Sequence, residues 1–243
     1  DRSSAASDVY KRQSLLSVYK FLFINTSKRG DCFLSRKEKA NITLHKGDLP
    51  AGLDFGNSVA IDTETMGLKP HRDRLCLVQL SSGNGEAHIV QFDQEEYRAT
   101  NLISILQNPG ILKIFHYARF DVAIMEMYLN TATQSVFCTK IASKLVRTYT
   151  DRHGLKDLCK ELLNIELSKQ QQSSDWGTST LTDEQMQYAA SDVLYLHKIK
   201  EILASRLARE KREAIAKACF DFIGTRASLD LLGLENEDIF SHM

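Results

Sequence analysis

The segment VAIDTETMGL, Val59–Leu68, ends an apolar run with two acidic residues. Alternate residues of a strand share a face, so Asp62 and Glu64 point the same way. Two carboxylates about 5 Å apart repel each other by about 3 kcal/mol at an effective dielectric of 20. Such a pair fits a site where a cation neutralises the charges or where one acid keeps its proton. It fits equally well a strand end whose charges are screened by water.

Two further segments place an acid on a predicted helix. In HYARFD, Asp121 falls in the first turn of a helix, where the helix dipole favours a carboxylate, so a capping role is the simpler interpretation. In QYAASD, Tyr188 and Asp192 are four residues apart and share a helix face. Ala189 and Ala190 lie between them, and small residues allow close backbone approach. Taken alone, each segment is compatible with ordinary structure or with catalysis.

The composition argues against several kinds of site. The 243 residues include 31 basic and 31 acidic side chains, so there is no overall basic footprint for nucleic acid. The five cysteines are widely spaced and form no CxxC pair, which supports neither a zinc knuckle nor a disulfide framework. No run of about 18 apolar residues occurs, so the sequence predicts no membrane span. We expect a cytoplasmic protein with reduced thiols.

Residues 1–41 differ from the rest of the chain. The stretch LLSVYKFLFI follows KRQ and resembles a signal peptide, but Lys20 interrupts it and no clean cleavage site follows. DVYKRQ, Asp8–Gln13, is the in-frame translation of GAT GTG TAT AAG AGA CAG, the end of a transposon adapter used in sequencing libraries. We expect residues 1–41 to be an atypical leader, either disordered or an artefact of sequencing or start-site choice.

The remaining residues predict strands and helices in a regular order. Strands are predicted at SVAIDTE, RLCLVQLSS, EAHIVQF, ILKIFHY and VFCTK, and the GNG turn joins the second and third as a hairpin. Helices are predicted at EEYRATNLISILQN, RFDVAIMEMYLN, IASKLV and GLKDLCKELLN. A long helical region begins with a capping box at Thr182 and Gln185 and continues, with breaks, to Leu232. This order predicts an α/β fold, a mixed five-stranded sheet flanked by helices.

Together, the three acidic segments resemble the motifs of the DEDD 3′–5′ exonucleases and, among them, the ribonuclease D group. DTE at Asp62–Glu64 matches the first motif, HYARFD ending at Asp121 the second, and YAASD at Tyr188–Asp192 the third. The resemblance covers about residues 45–205 and includes RDRLCLVQLS and the DWG segment. One branch of the superfamily has histidine five residues before the last Asp. That position is Gln187 here, and Tyr188 indicates the tyrosine branch.

The resemblance implies a ribonuclease H-like fold and a bacterial, cytoplasmic enzyme. Residues 42–205 would form the exonuclease domain, and residues 206–243 a helical C-terminal extension. The implied activity is that of a 3′–5′ exoribonuclease that releases nucleoside 5′-monophosphates during tRNA-type 3′ processing or degradation. The implied partner is a single-stranded or tRNA-like RNA 3′ end, and neither a membrane nor an obligate protein partner is expected.

The resemblance also implies two divalent ions, Mg²⁺ or Mn²⁺, as cofactors. Asp62 would bridge both ions. Glu64 and Asp192 would complete the ion that activates water, and Asp121 would serve the ion at the leaving group, partly through water. Tyr188 would orient the attacking water, because a phenol with a pKa of about 10 is a poor base at neutral pH.

The implied substrate contacts lie around these acids. Met66, Gly67 and Leu68 resemble the family's wedge region for the last base. The full predicted substrate-binding set is Thr63, Met66, Gly67, Leu68, His116, Phe120 and Trp176. A purely structural role for His116, and core packing for Trp176, stay open alternatives. Cations that either hold the strand or form an ordinary solvated face are Lys69, His71, Arg72, Arg74, Arg119, Lys140, Lys144, Arg147, Arg152, His153 and Lys156.

Three other functions remain open on the sequence. The first is an exonuclease that prefers DNA, because proofreading domains of DNA polymerases share the four acids and the tyrosine. The second is a catalytically silent RNA-binding module, which the presence of all four acids disfavours. The third is a small-molecule phosphatase, which the nucleic-acid motifs disfavour. The preference for RNA over DNA rests on the resemblance alone.

Overall fold

The computed structural model describes residues 40–93, 96–168 and 170–242. Its strands are β1 (Asn41–Lys46), β2 (Ser58–Thr65), β3 (Leu75–Ser81), β4 (Glu86–Gln91), β5 (Leu112–Phe115) and β6 (Val136–Cys138). Its helices are α1 (Thr100–Gln107), α2 (Ala118–Leu129), α3 (Thr139–Val146), α4 (Leu155–Leu158), α5 (Asp183–Leu194), α6 (Leu196–Arg209), α7 (Glu213–Asp221) and α8 (Ile223–Leu231). A π-helix, Cys159–Leu163, continues α4. The predicted leader lies outside the described residues, apart from its last two.

The strands form one mixed sheet in the order β1-β4-β3-β2-β5-β6. The pairs β2–β3 and β3–β4 are antiparallel, whereas β2–β5, β5–β6 and β1–β4 are parallel. This arrangement confirms the predicted α/β class with a mixed sheet.

The described part of the chain has six strands, where the sequence predicted five. The strand that was missed is β1, with the sequence NITLHK, which pairs with β4 at one edge of the sheet. Only Ile42 and Leu44 alternate with polar residues in it, and most of its side chains are exposed, so the alternation is too short to identify a half-buried strand.

Helices cover both faces of the sheet. On one face, α1, α2 and α8 pack against Val59 and Ile61 of β2. On the other face, α3, α5 and α6 pack in a cluster that includes Ala60. The alternation along β2 therefore turns Asp62 and Glu64 toward the face that α5 covers.

Local sequence signals fix two of these elements. The GNG hairpin between β3 and β4 is confirmed, with Gly83 and Gly85 at φ values of 83° and 94°, which glycine adopts readily. The capping box of α5 is also confirmed. Thr182 Oγ1 accepts from the Gln185 backbone N–H at 3.2 Å, and Gln185 Oε1 accepts from the Thr182 N–H at 2.9 Å. The cap fixes the start of the helix that carries the third acidic segment.

The helical region predicted from Thr182 to Leu232 is confirmed as the consecutive helices α5 to α8. None of the helices within the described ranges has the length and hydropathy needed to cross a membrane.

Candidate active site

A cleft of about 630 Å³ opens between the end of β2 and α5. Its walls also include the turn after β2, the start of α2 and the loop before α5. The lining residues are Asp62, Thr63, Glu64, Thr65, Met66, Gly67, Leu68, His116, Phe120, Leu155, Gln172, Ser173, Ser174, Trp176, Tyr188 and Asp192. Every residue predicted to be catalytic or substrate-binding is in this set except Asp121.

Three acidic side chains converge in the cleft. One carboxylate oxygen from each of Asp62, Glu64 and Asp192 lies within 4.8 Å of the other two. The first two share a face of β2, and Asp192 comes from α5, which packs on that face. The strand register shifts between Glu64 and Thr65, and such bulges re-aim side chains next to functional sites.

Asp121 lies beside this cluster but is not part of it. Its carboxylate is only 3% exposed and accepts a hydrogen bond of 2.7 Å from Thr63 Oγ1. Thr63 points away from the α5 face of β2, toward α2, which carries Asp121. The structure therefore brings together three of the four predicted metal ligands and holds the fourth beside them through Thr63, in electrostatic contact with Asp62.

Burial raises the pKa values of all four acids. For Asp62, burial is the largest cause, and the charges of Asp121, Asp192 and Glu64 add to it. The pKa of Glu64 is raised by burial and then by Asp192 and Asp121. Burial raises the pKa of Asp192 to about 7, and it raises that of Asp121 to about 7 even though the Thr63 hydroxyl acts in the opposite direction. Carboxyl groups held together out of water retain protons unless a cation replaces them.

The donor set of the cleft fits a divalent metal ion. Asp62, Glu64 and Asp192 offer only oxygen ligands, with no cysteine or histidine in the cluster, which suits a hard cation such as Mg²⁺. A cation would also remove the repulsion that raises the pKa values of these acids. The acidic cluster can therefore hold a divalent metal ion.

Tyr188 presents a hydroxyl group to the same cleft. Its pKa is raised above the usual range by burial and then by the charges of Asp192, Glu64 and Asp62, so the phenol keeps its proton at neutral pH. Its ring lies 5.9 Å from the ring of Trp176, centroid to centroid. Trp176 is 3% exposed and packs in a buried cluster, as core packing requires, and it also lines the cleft, where contact with substrate stays a prediction.

The turn after β2 carries two apolar side chains that are exposed to solvent. Leu68 is 82% exposed and Met66 is 49% exposed, although both line the cleft. The turn is tight, because a Cβ atom at Gly67 would meet the Asp73 carboxylate, which accepts a hydrogen bond of 2.9 Å from the Lys69 backbone N–H. Exposed apolar groups on a fixed turn are suited to contact a nucleotide base.

His116 has one ring nitrogen bound and one free. Thr139 Oγ1 donates to the Phe115 carbonyl at 3.0 Å, so its contact of 2.9 Å with His116 Nδ1 is one in which the Nδ1–H donates. Burial lowers the pKa of His116 to about 3, so the ring stays neutral. Nε2 is then an acceptor, and it has no partner within the described structure. His116 thus makes one hydrogen bond within the fold, through Nδ1, and its Nε2 atom stays available to accept another.

The loop before α5 supplies cleft residues that were not predicted. Gln172, Ser173 and Ser174 line the cleft, together with Thr65 and Leu155. The loop was recognised as polar, but no feature of SKQQQSSDWGTST indicates that its middle folds over the acids. Phe120, which was predicted to bind substrate, lines the cleft and also packs against the core.

Several cations predicted to be available for a strand have carboxylate partners instead. Arg119 donates to both oxygens of Asp230, with Nε at 2.7 Å from Oδ2. Arg72 pairs with Asp73 at 2.6 Å, and Arg147 is fully buried. Lys140 keeps its charge near the cleft, with Nζ 4.2 Å from the centroid of the Tyr117 ring.

Comparison with known proteins agrees with this geometry. A family model described as 3′–5′ exonuclease matches residues 46–208. Among curated proteins, ribonuclease D of Acidiphilium cryptum is 32% identical over 154 residues, which is 63% of this chain and 39% of that protein. The chain therefore spans well under half the length of this curated relative.

Solved structures extend the comparison. Brucella melitensis NrnC is 53% identical, with a TM-score of 0.81, over 84% of this chain and 99% of that chain. Further structures of the same protein are titled as bound to pGG and as having bound Mg²⁺. Escherichia coli RNase D, at 23% identity and a TM-score of 0.62 over 70% of this chain and 45% of that chain, shares the fold and confirms the ribonuclease H-like architecture. Because the family model matches more than half of its residues, the chain belongs to the 3′–5′ exonuclease family.

Proposed function

We propose that this protein is a metal-dependent 3′–5′ exoribonuclease that removes nucleoside 5′-monophosphates from RNA 3′ ends. The observation that carries the proposal is the convergence of Asp62, Glu64 and Asp192 with the Tyr188 hydroxyl in one cleft. RNA is favoured because curated relatives, such as that of Acidiphilium cryptum, are named ribonuclease D, although DNA polymerase I of Aquifex aeolicus is also 32% identical over 161 residues. We infer single-stranded or tRNA-like ends as substrates and the bacterial cytoplasm as the place of action.

Two divalent ions, Mg²⁺ or Mn²⁺, are the cofactors that we propose. Asp62, Glu64 and Asp192 would hold the first, since their oxygens already lie close together. Asp121 would hold the second together with Asp62, partly through water. When bound, such ions activate the attacking water, neutralise the phosphate and stabilise the leaving oxygen. A structure of the relative NrnC is titled as having bound Mg²⁺, which supports Mg²⁺ as a cofactor.

The residues of the chain supply position and proton control. Thr63 holds the Asp121 carboxylate through its hydroxyl, which fixes the position of that acid near Asp62. Tyr188, which keeps its proton, donates a hydrogen bond that orients the attacking water. Met66 and Leu68 contact the terminal base, and the free Nε2 of His116 accepts from a hydroxyl group of the terminal nucleotide.

Replacing Tyr188 with phenylalanine should lower kcat by about a hundredfold and leave KM nearly unchanged, because the hydroxyl acts on the water and not on the substrate. Both constants are measured with a 5′-labelled oligoribonucleotide in Mg²⁺. Tyr195→Phe is the matched control, since it removes a hydroxyl from a half-buried tyrosine that does not line the cleft. Equal rates for Tyr188→Phe and the native protein would remove the assigned role.

The function is tested by degrading three matched single strands labelled at the 5′ end. These are an RNA with a free 3′ hydroxyl, the same RNA with a blocked 3′ end, and a DNA of the same sequence. We expect the free RNA to give a ladder that shortens from its 3′ end in Mg²⁺ or Mn²⁺ and to stay intact in EDTA. The blocked RNA should persist.

Each alternative has its own result in this assay. Faster loss of the DNA strand would identify an exonuclease that prefers DNA. Binding without shortening would identify a silent RNA-binding module. Cleavage of the blocked strand at internal positions would reject an exonuclease altogether.

A further inference from the structure

Gln79 is a polar side chain in the interior of the sheet that has no bonding partner. It lies in the middle of β3 and is fully buried, and neither its Oε1 nor its Nε2 is hydrogen-bonded to any described residue. Gln91, also buried, differs, because its Oε1 accepts from Lys46 Nζ at 2.6 Å and its Nε2 donates to the Thr178 carbonyl at 2.7 Å. A buried amide without partners lowers stability, so its presence requires an explanation.

The strand register places Gln79 directly opposite Asp62. The two are Cα partners in the antiparallel pairing of β2 with β3. Their side chains therefore share the face that α5 covers, and their Cβ atoms are about 4.5–5.5 Å apart. The partner of Gln79 on β4 is the apolar Ile89. Ser81, the next polar residue on this face of β3, already donates its hydroxyl to the Glu86 carbonyl at 2.6 Å. Asp62 is the polar neighbour with which the amide can pair.

We propose that Gln79 is a positioning residue that orients the Asp62 carboxylate when a divalent cation occupies the acidic cluster. This inference rests on the proposed function. A carboxylate has about four lone-pair sites, so Asp62 keeps an acceptor site when it also holds metal, and the Nε2–H of Gln79 donates to that site across the strand pair. The amide nitrogen, unpaired without metal, is paired in the metal-bound state.

Pairing of this kind has a measurable consequence for metal affinity. Groups that hydrogen-bond a metal ligand hold it in one orientation, and losing one of them typically weakens metal binding by about 10- to 100-fold. A glutamine kept only for packing has no such effect. The two roles also differ in their effect on stability, because removing an unpaired amide relieves the metal-free protein, whereas removing a packing group weakens it.

The test is Gln79→Met, which keeps the length of the side chain and removes the amide. Binding of Mg²⁺ and Mn²⁺ is followed without RNA by the fluorescence of Trp176, the single tryptophan, which lines the cleft beside Tyr188. We expect the dissociation constants to rise by about 10- to 100-fold. The thermal midpoint in EDTA should be unchanged or higher. Gln91→Met is the matched control and should lower that midpoint while leaving the dissociation constants unchanged.

A rise of less than about tenfold in the dissociation constants for Gln79→Met would overturn the proposal. If that variant does not fold, Gln79→Asn keeps an amide with a reach one methylene shorter, and the same threshold applies to it. Failure of the proposed function looks different. If the native protein binds Mg²⁺ but leaves RNA intact, the function is rejected while the ratio of dissociation constants still decides the role of Gln79. If the native protein binds neither ion, both are rejected.

Discussion

Asparagine in place of Asp62 is expected to slow the enzyme about a thousandfold while making the metal-free protein more stable to heat. The loss of activity follows from the proposed metal site, because Asp62 interacts electrostatically with all three other acids and is the carboxylate we assign to both ions. The gain in stability follows because the substitution removes a carboxyl group from a buried, repelling set. Each kcal/mol relieved raises the thermal midpoint by about 2–4 °C for a domain of this size.

The stability gain should depend on pH in a defined direction. The pKa of Asp62 in the folded protein is raised above its unfolded value of about 4. Its contribution to stability is therefore full at low pH and is lost as pH rises through the folded pKa. The coupled acids Asp121 and Asp192 titrate at about 7. The advantage of Asp62→Asn in EDTA should thus be larger at pH 8 than at pH 5, as scanning calorimetry can measure.

Asp48→Asn provides the matched control for this experiment. Asp48 accepts hydrogen bonds from the backbone N–H groups of Asn101 at 2.8 Å and Leu102 at 3.0 Å, at the start of α1. Asparagine keeps only one of the two accepting oxygens, so the replacement should cost about 1 kcal/mol of stability and leave kcat unchanged. A native rate for Asp62→Asn, or a lower midpoint in EDTA at pH 8, would contradict the arrangement of acids described above.

The largest loss of stability from one polar side chain is expected for Arg147→Met, at about 2–3 kcal/mol. Arg147 is fully buried next to the end of α3. It donates to Ser143 Oγ at 2.9 Å, to the Arg152 carbonyl at 2.6 Å and to both carboxylate oxygens of Glu161. Methionine fills part of the space but leaves the buried Ser143 hydroxyl and the Arg152 carbonyl without this donor, which is costly, whereas water can replace it at Glu161, whose side chain is 40% exposed.

The free energy of unfolding from urea titration measures this effect. Lys160→Met is the matched control, because the pair of Lys160 with Glu166 joins two exposed side chains at 3.0 Å. Pairs of that kind contribute about 1 kcal/mol or less. Equal losses in the free energy of unfolding for the two variants would show that the hydrogen bonds of Arg147 do not stabilise the fold as we describe.

The acidic residues could be predicted from the sequence because their order and spacing are local properties of three segments. Alternation in β2 places Asp62 with Glu64, and a four-residue spacing places Tyr188 with Asp192 on one face of α5. The capping box of α5 and the GNG hairpin are likewise read from a few adjacent residues. That the three segments meet in one site was predicted from the resemblance to a family, because no local sequence pattern indicates that α5 packs over β2.

The features that could not be predicted depend on contacts between distant segments. The sequence indicated that Arg119 could contact a nucleic acid strand. In the fold its side chain instead donates to Asp230, which is 111 residues later in the chain. The separation of Asp121 from the other acids depends on the Thr63 hydroxyl, 58 residues away. Gln79 did carry a signal, because a glutamine in the apolar run LCLVQLS is unusual. Its meaning appears only with the register that sets it against Asp62.

The bond between Arg119 and Asp230 bears on how this protein could be shortened or fused to another. The recognised family segment ends at residue 208, which would be the obvious place to cut. However, Ile223 and Ala227 of α8 belong to the same core as α2, the helix that carries Asp121. Truncation at residue 208 would remove Ile223 and Ala227 from that core. It would also remove Asp230, the carboxylate partner of Arg119. Removal of α8 is therefore expected to weaken the packing that supports α2 and the position of Asp121.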